Sequence, residues 1–245
     1  MKIALISRAY EPDLMEAHRD FHLSAGVDLV VGVDDGSAER EHGADWVIEG
    51  EPTEFWWPRG GSLKEVLASI PPRYASVQAV TRPFVPVSPV EGPFAERMVY
   101  RLSTPAALGE PWRPSRRLVR RVGVSGPPLR GWYPIEVLHF PVHLAPPFTA
   151  EQLERAVADG VVRLDTRLRD ALRALAGGGT PAFPRPDLSD DMELAVDVAL
   201  LGDADVIRTH ARLDALEVRL AAVESTLPEM LKRTLRKFAG RSEST

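Results

Sequence analysis

Glu51 and Glu54 bracket a proline and run directly into Phe55-Trp56-Trp57, which sets two carboxylates beside three aromatic rings. Such carboxylates can take a proton from a hydroxyl or hold a cation, and such rings can stack on a base or a sugar. A second acidic pair, Asp34-Asp35, precedes Gly36-Ser37 and can hold a ribose or a base edge. Arg113, Arg116, Arg117, Arg120 and Arg121 form a basic run whose guanidinium groups suit phosphate oxygens. His18 and His22 are four apart, which places both on one helix face at a spacing compatible with a metal, although no glutamate stands between them as in the zinc proteases. Each group has a structural alternative: aspartates that cap a turn, tryptophans of a loop that fill the core, arginines in a solvated loop or paired with acidic helices. Glu96 likewise reads as a proton acceptor or as a strand glutamate paired with Arg97 or Arg101.

The elements that position these residues begin with the apolar run of residues 2–7, dense enough for a strand buried on both faces. Pro12 suits the first turn of a helix that reaches Ala25 and closes at Gly26, and residues 27–33 read as a second strand. A strand-helix-strand order implies parallel pairing and a right-handed crossover. Ligands on such sheets bind beyond the carboxyl ends of the strands, so Ser7, Arg8, Asp34 and Asp35 are predicted at one rim. A third strand over residues 46–48 follows a connection too short for a full helix, so one sheet face is predicted to lack part of its helical cover. Ser62 and Glu65 have capping-box spacing, and the helix they open stops at Pro71-Pro72. Further strands are predicted over residues 77–81, 97–102, 118–124 and 135–140. Thr149 and Gln152 make another capping box for a helix ending at Gly160, and residues 164–176 read as a helix stopped by three glycines. From Asp203 a long helix carries Leu213, Leu216, Leu220, Val223 and Leu227 as a short heptad seam. That seam packs on its own domain or on a second chain, and the open sheet face tilts the reading toward a homodimer. The resulting division is a sheet-based core, 1–148, a helical subdomain, 149–202, and a long carboxyl-terminal helix, 203–240.

Composition narrows the function classes. The absence of cysteine excludes disulfides, thiolate metal sites and cysteine nucleophiles. A net charge of -5 gives no support to nucleic-acid binding. No run of apolar residues is long enough for a membrane span, and the amino end lacks a signal-peptide pattern, so a cytoplasmic location is expected. All but four of the 30 basic residues are arginine, a bias that suits phosphate or carboxylate recognition.

Several stretches in order resemble family 2 glycosyltransferases of the GT-A fold, in particular a bacterial branch. They are His18-Arg19-Asp20-Phe21-His22-Leu23, Gly26-Val27-Asp28 and Val33-Asp34-Asp35-Gly36-Ser37, then Asp45-Trp46-Val47-Ile48 with Glu54-Phe55-Trp56-Trp57-Pro58. Phe94-Ala95-Glu96-Arg97-Met98, Leu138-His139-Phe140-Pro141 and Asp165-Thr166-Arg167-Leu168-Arg169-Asp170 continue the likeness. The resemblance implies an α/β fold, a GT-A-like, Rossmann-like mixed sheet flanked by helices, here with a carboxyl-terminal helical extension. It also implies transfer of a sugar from a nucleoside-diphosphate donor to an acceptor hydroxyl. Ser7, Arg8, Asp34 and Asp35 would hold the nucleotide, Glu51 and His139 a weakly bound magnesium or manganese, and Glu54 or Glu96 would serve as the base.

The chain departs from that pattern in places. The Asp-x-Asp position reads Glu51-Pro52-Thr53, with one carboxylate lost; Arg8 is followed by Ala9-Tyr10 where the family has acidic residues; and residues 38–44 stand where the family has a helix, a strand and another helix. Arg116, Arg117 and Arg120 are therefore candidates to replace the cation at the diphosphate. A catalytically inactive or repurposed member, acting as a binding or assembly partner or running other chemistry in the same crevice, is the alternative.

Overall fold

Ile3–Ser7 forms β1, and all five side chains are buried, as the apolar run predicts. The computed structural model describes residues 1–7, 12–32, 42–88, 91–103, 116–129, 134–141 and 146–185. Arg8, Asp34, Asp35, Arg113, the heptad seam and the homodimer built on it lie outside these residues, as does the segment 203–240.

Helix α1, Pro12–Ser24, follows β1 and leads into β2, Leu29–Gly32. Gly26 turns the chain between them at φ 102°, and a Cβ there would press on the Lys64 backbone nitrogen at 3.2 Å, so only glycine fits. The sheet continues with β3, Trp46–Gly50, β4, Glu54–Pro58, and β5, Ser76–Pro83. It is completed by β7, Arg116–Arg121, β8, Pro128–Leu129, and β9, Ile135–His139. The order across it is β2-β1-β3-β7-β5-β9-β4, with β8 also on β5. β1 pairs in parallel with β2 and β3, and β5 with β9, whereas β7 and β4 run antiparallel to their neighbours. The result is a mixed sheet in an α/β fold, of the Rossmann-like class expected.

Three local expectations change. Glu54–Pro58 is strand β4 rather than a loop, and its Phe55, Trp56 and Trp57 are 0%, 0% and 3% exposed. Burying each such ring is worth ~1.5–3 kcal/mol, so the aromatics are core and offer no face to a ligand. Phe94–Arg97 is a single helical turn, α3, instead of the start of a strand, and Tyr100–Leu102 alone makes β6. The predicted helix from Leu164 begins later: Val162–Leu164 is β10, paired antiparallel with β6, and α5 spans Arg167–Ala176. Both capping boxes are present, at α2, Leu63–Ala68, and at α4, Ala150–Ala158.

One face of the sheet packs Ile3, Leu5, Trp46, Ile48 and Val119 into the main core, to which α1 contributes Phe21 and α2 Leu63 and Leu67. Ala4, Ile6 and Val47, with alternate register, pack with Ala44 in a small separate cluster. Leu118 is 50% exposed, in keeping with an incompletely covered face among the described residues.

Candidate functional site

Strand polarity gathers the site. The carboxyl ends of β1, β3, β5 and β9 and the amino ends of β7 and β4 meet along one rim, because Ser7 pairs with Gly50, and His139 with both Pro83 and Glu54. Such a rim is where open α/β sheets bind ligands. Beside it lies a cleft of about 540 Å³, bordered by Glu49, Gly50, Glu51, Glu54, Arg117 and Arg120.

Glu54 is fully buried, and its Oε1 accepts from Arg117 Nε at 2.7 Å and lies 2.6 Å from Nη2. Its Oε2 accepts from the Glu51 backbone N–H at 3.2 Å. The Arg117 side chain is 35% exposed, so this is a buried carboxylate held by a guanidinium that still meets solvent. Gly50 makes the arrangement possible: a Cβ there would stand 2.9 Å from Trp56 Nε1 and 3.3 Å from Glu54 Oε2. Glu51 itself is exposed. His139, directly opposite Glu54, has its pKa lowered to about 4 by burial; the Glu51 charge works against that shift and Arg117 with it. At neutral pH it is an uncharged imidazole.

The other candidates separate. Ser7 is fully buried beside Gly50. Arg116 is placed only as a β7 position opposite Val80. Arg120 sits 3.9 Å from Glu49 at the cleft. Arg121 lies 4.4 Å over the Trp46 ring and donates to the Ile70 and Pro71 carbonyls, so that arginine fastens the turn that follows α2. Glu96 is away from the cleft: it sits on α3, where Arg173 of α5 donates to it at 2.7 Å, rather than on a strand beside Arg97 or Arg101. His22 is structural, because its Nδ1 lies 2.7 Å from the His18 carbonyl and its Nε2 accepts from the Trp56 N–H at 3.0 Å. Both nitrogens are used, and the metal reading of the histidine pair has no support.

The residues present do not fit a divalent cation well. Among the described residues no group of three or more His, Asp or Glu side chains is arranged for a metal. Glu51 and His139 supply two donors beside the Arg117 cation, whereas magnesium keeps about six oxygen ligands.

A second charged cluster escaped the sequence reading. Glu136 is buried with Arg82 Nη2 at 3.1 Å, Arg167 Nη1 at 3.0 Å and Arg59 Nε at 3.8 Å. Asp165 holds Arg101 and Arg167 at 2.9 and 2.8 Å. The arginines hold the Glu136 carboxyl far below the usual carboxylate range despite burial, which opposes that shift. The only trace of this in the sequence is charge inside otherwise apolar strands, as at Glu136 in IEVLH. The cluster ties α5 to β5 and β9.

No protein-family model matches the chain, and no curated protein matches it.

Proposed function

We propose that the protein is a reduced glycosyltransferase of the GT-A type, which transfers a sugar from a nucleoside-diphosphate donor to an acceptor hydroxyl without relying on a bound metal. The observation that carries this reading is the rim cluster of Glu51, Glu54, Arg117 and His139 beside the cleft, where the carboxyl ends of β3 and β9 meet the amino ends of β7 and β4. The leaving diphosphate gains negative charge in the transition state, and guanidinium groups stabilise it there. Among the described residues, Arg117 and Arg120 are the cations that line the cleft. Drawing Arg117 toward the diphosphate releases Glu54, which then accepts the acceptor's proton as the new C–O bond forms and the nucleoside diphosphate departs with the old bond's electron pair. Melting temperature read against UDP, GDP, CDP and ADP, with manganese and with EDTA, tests the class. One nucleotide should stabilise the protein equally in both conditions; a flat panel overturns the proposal.

One observation favours a second reading, a binding protein without transfer. Glu54 and Arg117 neutralise each other at the cleft. Nucleotide binding with no release of sugar from any nucleotide sugar would select it.

A further inference from the structure

Two carboxylate–guanidinium pairs border the cleft, and they differ. Glu54 is buried and lies 2.6 Å from Arg117, whereas Glu49 Oε1 lies 3.9 Å from Arg120 Nη2, with side chains 38% and 47% exposed. The second distance is too long for a hydrogen bond, so these two groups stand side by side on the cleft wall without closing on each other. Strand alternation puts them there. Ile48 and Val119, paired across β3 and β7, face the main core, so Val47, Glu49, Leu118 and Arg120 face the other side of the sheet. Leu118 is half exposed, and with Val47 and Val124 it lends this part of the cleft an apolar surface. From Val47 to Glu51 the cleft follows the chain for four residues, about 13 Å. A ligand with its phosphates at Arg117 therefore has room to lay its other end against Leu118.

The chemistry of the Glu49 and Arg120 side chains selects that end. A carboxylate only accepts, with about four lone-pair sites, and a guanidinium only donates, with five N–H groups, so one contact elsewhere exhausts neither. A flat ring resting on Leu118 must bring donors to Glu49 and, beside them, acceptors to Arg120. Guanine has two adjacent donors, N1–H and N2–H, followed by the acceptors O6 and N7, which suit the arginine fork. Uracil sets one donor between two carbonyls that repel the carboxylate. Adenine and cytosine each bring one amino group next to a ring nitrogen that does the same.

Resting on the reading of the cleft as a nucleotide-sugar site, we infer that the donor base is guanine. Glu49 accepts from N1 and N2, Arg120 donates to O6 and N7, and the ring lies on Leu118. Arg117 then meets the diphosphate toward the rim, beside Glu54.

Titration calorimetry of the full chain with GDP, UDP, CDP and ADP, in EDTA, provides the test. GDP should bind about ten- to a hundredfold more tightly than the others, the discrimination of a two-pronged side-chain contact. IDP, which lacks the N2 amino group, should bind about tenfold more weakly than GDP. Glu49→Gln, at a partly exposed position, should remove the preference for GDP while leaving affinity for UDP unchanged. A merely structural pair predicts the reverse, a lower urea midpoint and an unchanged order of nucleotides, and that result overturns the role of Glu49. Preference for a nucleotide other than GDP overturns guanine and leaves the transferase reading standing. No binding by any of the four overturns both.

Discussion

Glu54 and Glu136 are both fully buried carboxylates bound by arginine, but their surroundings assign them different work. Glu136 is enclosed by Arg82, Arg59 and Arg167, with side chains 1%, 8% and 24% exposed, and does not border the cleft. Glu136→Gln removes the charge that these cations share and should destabilise the fold by ~3–5 kcal/mol in urea titration. Glu54 is held by the Arg117 guanidinium, which reaches solvent, and adjoins the cleft. Glu54→Gln should abolish turnover while a nucleotide still raises the melting temperature, and a variant with full activity would remove Glu54 as the base.

At the scale of elements, the β3–β4 turn places the carboxylates, and Gly50 sets its geometry. Gly50→Ala puts a methyl group against the Trp56 indole and should cost ~1–3 kcal/mol, measured by chemical denaturation. Helix α2 is capped at its start by the Ser62 and Glu65 capping box, and Arg121 fastens the turn that follows it through the carbonyls of Ile70 and Pro71. Ser62→Ala should cost ~1 kcal/mol by the same measurement. The capping boxes were legible in the sequence because their bonds are local, spanning three residues. Strand β4 was not, because Glu54–Pro58 becomes a strand only by pairing with β9, some eighty residues further along the chain.

Across the whole molecule, histidines withdrawn from solvent make stability depend on pH. His18 and His139 have pKa values lowered to about 4, chiefly by burial. Between that value and the unfolded value of about 6.5 the unfolded chain binds more protons, so stability rises with pH through this window and levels off above it. Each histidine contributes up to about 3 kcal/mol to that change. Depressed carboxyls such as Glu136 and Asp165 act in the same direction at lower pH, their contribution present above the unfolded carboxylate value of about 4 and lost on acidification. Urea midpoints measured from pH 4.5 to pH 7.5 should climb and then flatten; a constant midpoint would contradict the desolvation of both imidazoles.

The sequence by itself determined the parallel opening of the sheet, the two capped helices and the absence of thiol chemistry, since these rest on local pattern and residue type. It also marked Glu51, Glu54, Arg117 and His139 as separate candidates. Only the tertiary structure decided that these four share one rim, that Trp56 and Trp57 are core, and that Glu96 belongs with Arg173. The reason is physical: burial and ion pairing are set by which strands and helices become neighbours, and residues as distant in the chain as Glu54 and Arg117 meet only when β3, β7, β5, β9 and β4 are assembled in that order.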